Sequence, residues 1–209
     1  MTVRSFGHGA ESPAGLLLAA GEGRRLGRPK ATLELDGERL VDRGVRMLRD
    51  AGCSPVLVVA GAEPVEVIGA VVVPNADWRV GMGSSLRAGL AALPPACPAV
   101  VVALVDQPLV TSAAVTRLIT AYEEGAEIAV ATYGGAPRNP VLLRAGHFAA
   151  VAETAVGDTG ARAYLRAHPD RITHVPCDDV AAPDDIDTPD DLLSYERDAF
   201  SRRSPRPRS

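Results

Sequence analysis

The sequence predicts an α/β protein with a doubly wound, mostly parallel sheet, and three observations carry that expectation. Short apolar, β-branched runs alternate with segments of helical periodicity from residue 15 onward. The runs are apolar at every position rather than every second one, the pattern of strands covered on both faces. Each is bounded by Gly, Pro or Asp, the residues that punctuate elements.

Taken in order, GLLLAA (15–20), SPVLVVA (54–60), AVVVP (70–74) and AVVVALV (99–105) read as buried strands. RLVDRGVRMLRDAG (39–52) has helical apolar spacing and stops at Gly52. SSLRAGLAAL (84–93) and TSAAVTRLITAYEEG (111–125) read as helices opened by Ser or Thr caps. IAVATY (128–133) and NPVLLR (139–144) are later strands. GARAYLRAH (160–168) and TPDDLLSYERDAF (188–200) are later helices, the second with a Thr cap and Pro in its first turn. In such sheets ligands bind beyond the carboxyl ends of the strands. That rule singles out the loops after Ala20, after Pro74 and at Asp106.

The totals narrow the function. The 209 residues suit one domain, expected over 14–200, between a loose leader (1–13) and a disordered basic tail SRRSPRPRS (201–209). With 46% apolar residues but only 4% aromatics, the core must rest on Val, Leu, Ala and Ile. A net charge of −4 argues against a nucleic-acid partner, which calls for a basic face. Cys53, Cys97 and Cys177 lie far apart, without CxxC or zinc spacing, so reduced thiols are expected. No apolar stretch reaches the ~18 residues of a membrane helix, and the N-terminus lacks signal-peptide features; the expected location is the cytoplasm. The four histidines read as surface or packing residues.

The stretch LLLAAGEGRRLGRPKATL (16–33) carries the chemistry: an apolar run breaks into a glycine- and arginine-rich loop ending on Pro29 and Lys30, the only lysine in the chain. It is not a P-loop, because Gly21 is not followed by Gly-Lys-Ser/Thr at the required spacing. Gly21, Gly23 and Gly27 make a weak dinucleotide fingerprint, but Pro29 falls where the helix should already run. Two readings remain: a surface turn with solvated arginines, or an extended loop around a triphosphate. Gly21 and Gly23 would let backbone N–H groups approach, while Arg25 and Lys30 neutralise phosphate charge. WRVGMGSSLRAGL (78–90) offers Gly81, Gly83, Ser84 and Ser85 to a polar ligand, although a plain capped helix explains Ser84 equally well. ALVDQPLVT (103–111) places Asp106 at the ligand edge, where a cation bridging it to phosphate oxygens would offset an unpaired carboxylate; a helix-capping aspartate is the alternative.

LAAGEGRRLGRPK resembles the signature of the nucleotidyltransferases that build molybdenum cofactor dinucleotides, and within them the molybdopterin cytidylyltransferase branch. This chain has Leu18-Ala19-Ala20-Gly21 and Pro29-Lys30 where the guanylyltransferase branch typically has LAGG and Asp-Lys. The resemblance runs in order from about residue 15 to 195. It implies a three-layer Rossmann-like fold of the nucleotide-diphospho-sugar transferase type. GMGSSLRAGL would lie against base and ribose, and Asp106 would be the first Mg²⁺ ligand. DDIDTPDDL (184–192) resembles the family's second metal segment, giving Asp187 as the second ligand and Asp185 as the fallback, though the same run is also a plain helix start. GDTGARAYL (157–165) implies Asp158 and Arg162 at the acceptor. RNPVLL (138–143) occupies the acceptor position with Asn139 where many relatives carry histidine.

The implied reaction is Mg²⁺-dependent transfer of CMP from CTP to a phosphorylated pterin with release of pyrophosphate. The implied partners are that triphosphate and acceptor, and a molybdenum hydroxylase or its maturation factors. Two alternatives stay open: a nucleotidyltransferase for another acceptor or nucleotide, and a non-catalytic nucleotide- or NADP-binding module.

Overall fold

A computed structural model describes residues 12–61 and 63–195. The expected leader up to residue 11, with His8, and the end of the last helix with the basic tail lie outside the described residues. The chain runs β1 (Ala14–Leu18), β2 (Glu34–Leu35), β3 (Glu38–Arg39), α1 (Leu40–Asp50), β4 (Val56–Ala60), β5 (Val71–Pro74), α2 (Met82–Ala91) and β6 (Ala99–Leu104). It continues through α3 (Ser112–Glu123), β7 (Ile128–Tyr133), β8 (Ala136–Arg144), α4 (Phe148–Thr154), α5 (Arg162–Ala167) and β9 (Ile172–Pro176). Residues 189–195 are helical.

Among the described residues seven strands form one sheet in the order β5-β4-β1-β6-β8-β7-β9, and β2 and β3 pair separately as a hairpin. β5, β4, β1 and β6 are parallel; β8 runs antiparallel between β6 and β7, and β9 is parallel to β7. The sheet is thus mostly parallel with one reversed strand, as the sequence predicts. AVVVP is the exception to the expected two-faced burial: among the described residues β5 pairs only with β4, and this edge strand is partly exposed along its length.

Alternate residues of the strands feed two cores. Leu17, Val58 and Val101 face α1 and α3, whereas Leu16, Val59 and Val102 face α2 and α4. Full burial of each such Leu or Val contributes roughly 1.5–3 kcal/mol. Two helix glycines bring the layers close to the central strand from opposite sides. A Cβ at Gly44 would sit 2.7 Å from Leu17 Cδ2, and one at Gly89 would sit 2.5 Å from Leu16 Cδ1. A mid-helix glycine costs about 1 kcal/mol of helix propensity, which the close packing offsets.

Helix ends follow the sequence unevenly. Thr111 caps α3, its Oγ1 accepting from Ala114 N at 3.3 Å. The segment after Asp187 starts as expected: Asp191 N donates to Thr188 Oγ1 at 3.3 Å while Asp191 Oδ2 accepts from Thr188 N at 2.8 Å. SSLRAGLAAL differs, since α2 begins at Met82 and Ser84 lies inside its first turn. Gly81, at φ 117°, supplies the turn that a serine cap was expected to make. Among the described residues no helix is long and apolar enough to cross a membrane.

Candidate active site

The strands β1, β4, β5 and β6 all end at one edge of the sheet, and the segments that follow β1, β5 and β6, joined by Asp158, line a cleft there. It encloses about 390 Å³. Leaving β1, the glycine-rich loop closes on itself through Leu26 N→Gly23 O at 2.8 Å. Gly23 takes φ 63°, and a Cβ there would lie 2.1 Å from the Arg28 carbonyl oxygen, so this turn accepts glycine alone. Pro29 is extended and stops the turn, and Lys30 opens a short 3-10 segment that aims its side chain inward.

Lys30 Nζ donates to Asp106 Oδ2 at 2.6 Å and also to Asp187 Oδ1. Three separate segments therefore meet on one ammonium: the loop after β1, the turn after β6 and the strap entering the last helix. Burial works against the charged ammonium, but Asp106 and then Asp187 outweigh it, raising the Lys30 pKa above the ordinary lysine value. Arg25 Nη1 approaches the other Asp187 oxygen at 3.7 Å, from a largely exposed position. Arg24 instead pairs locally with Glu22.

The strap is fastened beside β6. Ile186 N donates to Asp106 O at 2.8 Å, and Gln107 Nε2 donates to Asp185 Oδ1 at 2.9 Å and to Pro183 O. Burial, reinforced by the charge of Asp106, raises the Asp185 pKa against the opposing Gln107 hydrogen bond. Asp185 thus sits on a neutral amide while Asp187 reaches the ammonium. Among the described residues, Gln107 Oε1 is buried without a hydrogen-bond partner.

Opposite this cluster stands the start of α2. Asn75, directly after β5, donates through Nδ2 to Ser84 Oγ at 2.9 Å and Ser85 Oγ at 3.0 Å. Ser84 donates inward to the Asp77 and Gly81 carbonyls, and Ser85 faces the cleft. The loop after α4 docks on the same turn. Gly83 N donates to Gly157 O at 2.7 Å, Met82 N donates to Asp158 Oδ1 at 3.3 Å, and Arg87 donates to Ala155 O.

Of the residues singled out from sequence, Leu18, Ala20, Gly21, Gly23, Lys30, Gly81, Ser85, Asp106 and Asp158 line the cleft. Ala19, Gly83 and Ser84 support its wall from behind; Ala19 and Ser84 are buried. Arg25 and Asp187 join at its rim through the Lys30 cluster. Asn139 is half-buried near the start of β8, at the same sheet edge but outside the lining, and Arg162 is exposed at the start of α5. Trp78, Arg79, Asn75 and Gln107 escaped the sequence reading. Trp78 packs its Cβ over Gly61, carries Arg79 4.4 Å above its ring, and lines the cleft beside Ala20. The signal for Asn75 was present: it opens one of the three loops that the ligand-edge rule selects.

Asp106 and Asp187 converge on a single cationic partner, and carboxylate oxygens are the donors that hard divalent cations prefer. Among the described residues no group of three or more metal-ligating side chains is present. Two carboxylates still fit a Mg²⁺-like ion, which completes its shell with phosphates and water.

A mostly parallel sheet with a glycine-rich loop on its first strand, a lone lysine and two convergent carboxylates fits a nucleotide-binding protein of the nucleotidyltransferase kind. Residues 15–172 match the MobA-like NTP transferase domain, and the chain belongs to that family of nucleotidyltransferases. It is 39% identical over 188 residues to the nicotine blue oxidoreductase of Paenarthrobacter nicotinovorans, spanning 83% of this chain and 91% of that one. It is 44% identical over 108 residues to a probable molybdenum cofactor guanylyltransferase of Opitutus terrae, a match covering 50% of this chain and 52% of the relative. The crystal structure of Rv0371C complexed with manganese, from Mycobacterium tuberculosis, superposes with a TM-score of 0.75 at 25% identity, covering 89% of this chain and 98% of that one.

Proposed function

We propose that this chain transfers a nucleotidyl group from a nucleoside triphosphate to a phosphorylated pterin acceptor and releases pyrophosphate. The observation that carries this reading is the placement of Lys30 on Asp106 and Asp187 in a cleft that Gly21, Gly23 and Gly81 help to line. An acceptor phosphate monoester is already largely dianionic near neutral pH, its second pKa being ~6, so its oxygen needs no activating base. That oxygen forms a bond to the α-phosphorus while the bond from the α-phosphorus to the bridging oxygen breaks, and the electron pair leaves on pyrophosphate. The chain positions and neutralises: Gly21 and Gly23 offer backbone N–H groups, while Lys30 and Arg25 answer the charge on the phosphates. Leu18, Ala19, Ala20, Gly81, Gly83, Ser84 and Ser85 shape the nucleotide side. Asn139, Asp158 and Arg162 are assigned to the acceptor side. A divalent cation held by Asp106 and Asp187, Mg²⁺ in this reading, would supply further neutralisation of the triphosphate oxygens.

Two observations divide on the nucleotide. Pro29-Lys30 and GMGSSLRAGL favour CTP, whereas the Opitutus relative's name favours guanylyl transfer. A different reaction has one specific support, the relative named as an oxidoreductase, which the chain matches over nearly that protein's whole length. Hydride transfer would need a nicotinamide dinucleotide in the cleft and would release no pyrophosphate.

One assay separates these readings. The full-length protein is incubated with Mg²⁺, molybdopterin and either CTP or GTP, and pyrophosphate is measured beside NAD(P)H oxidation in a parallel sample with an electron-accepting dye. Pyrophosphate from one triphosphate is the expected result and names the nucleotide. Reduced-cofactor consumption without pyrophosphate overturns the transferase reading.

A further inference from the structure

The Lys30 ammonium holds the very oxygens on which the proposed cation would bind. Its Nζ takes Asp106 Oδ2 at 2.6 Å together with Asp187 Oδ1, and only 14% of the Lys30 side chain is exposed. The second Asp187 oxygen already faces the Arg25 guanidinium. A dication placed between these carboxylates would stand within a few ångströms of an ammonium in a half-buried site. Like charges at that separation repel strongly where water screens them poorly.

We propose that Lys30 is a resident counterion of the Asp106–Asp187 pair, which a divalent cation must displace. Metal then enters when nucleotide phosphates offer the ammonium new acceptors. This rests on the reading of Asp106 and Asp187 as metal ligands but goes beyond it, giving Lys30 two successive partners. Without nucleotide, Lys30 ties the loop after β1 to β6 and the strap, keeping two neighbouring carboxylates neutralised. With nucleotide, the same side chain turns to the phosphates and vacates the carboxylates. The chain holds no other lysine, and an arginine fork could not pass so compactly between two carboxylates and a phosphate chain.

The test is Mn²⁺ binding to the nucleotide-free, full-length protein, read from the loss of the free Mn²⁺ electron paramagnetic resonance signal. Lys30→Met is expected to bind Mn²⁺ at least tenfold more tightly than the wild type, and Asp106→Asn added to it should remove the gain. Lys30→Arg, which keeps a cation, should stay near the wild type. Added CTP or GTP should narrow the difference by drawing Lys30 away in the wild type. In melting experiments Mn²⁺ should raise the Tm of Lys30→Met more than that of the wild type; Lys30→Gln serves if the methionine variant does not fold. Equal, Asp106-dependent Mn²⁺ affinities in wild type and variant overturn this inference and leave the metal site standing. No Mn²⁺ binding by either protein, with or without nucleotide, overturns both.

Discussion

The Asn75 amide donates to the Ser85 hydroxyl at 3.0 Å, and through the same nitrogen to Ser84. All three side chains are buried, so the hydroxyl facing the cleft is oriented by a residue that does not itself line it. Asn75→Ala should cost about 1–3 kcal/mol, the usual range for stranding buried polar partners, and weaken nucleotide binding. Asn75→Asp should be worse, since a carboxylate brings a buried charge and no proton to donate. Urea denaturation and a nucleotide titration check both. An Asn75→Ala variant with wild-type stability and affinity would remove the assigned role.

Two glycines of the cleft should respond oppositely. A Cβ on Gly83 would lie 2.5 Å from the Ala155 carbonyl oxygen, in backbone that cannot swing aside, whereas one on Gly21 meets nothing within 4 Å. Gly83→Ala should therefore lose about 1–3 kcal/mol of stability as the docked loop is pushed away. Gly21→Ala should melt like the wild type, yet bind nucleotide more weakly, because its methyl group enters the space assigned to the phosphates. Melting curves beside binding curves for the two variants decide the matter.

Burial pushes the Cys53 thiol up to about 12. In the unfolded chain a cysteine titrates near ~8.5. Between those values the unfolded state loses a proton that the folded state keeps, so stability falls as pH rises, by about 1.4 kcal/mol per unit. Below the unfolded value Cys53 contributes no slope. Urea midpoints from pH 7.5 to 10 should fall more steeply for the wild type than for Cys53→Ala, the difference reaching roughly 2 kcal/mol at pH 10. Parallel profiles would show that Cys53 is not the source.

Trp78 is the only tryptophan in the chain, and it lines the cleft. Triphosphate titration should change its emission saturably, and Lys30→Ala should shift that curve to higher concentration. Trp78→Phe should abolish the signal while leaving the fold intact, as judged by circular dichroism. An emission that ignores saturating nucleotide would place the bound base elsewhere.

The sequence exposed what is local or singular. Unbroken Val and Leu runs marked β1, β4 and β6 because strands covered on both faces need no polar side. Lys30 stood out because nothing else in the chain shares its chemistry. The two-residue strands of the β2–β3 hairpin give no periodicity to read, and its tight turn shows in the backbone, where Asp36 and Gly37 both take positive φ. β9 leaves no apolar run to read, because among the described residues it pairs only with β7 and much of it is exposed. Serine before an apolar stretch reads as a helix start, but the backbone at Gly81 turns the chain earlier and leaves Ser84 inside the first turn. Asn75 and Gln107 act through partners that the fold brings near, Gln107 through one 78 residues away, and no local pattern announces such a bond.

The strap that carries Asp187 to Lys30 also sets an order in time. A chain growing on a ribosome makes the glycine-rich loop first and β6 much later, and it closes their shared site only when the segment before the last helix has emerged. Until then Lys30 has one carboxylate rather than two, and the turn after β6 lacks the backbone hydrogen bond from Ile186. Under the proposed function, the cluster that would answer a triphosphate's charge is therefore completed last, after β9 and the rest of the sheet have been made.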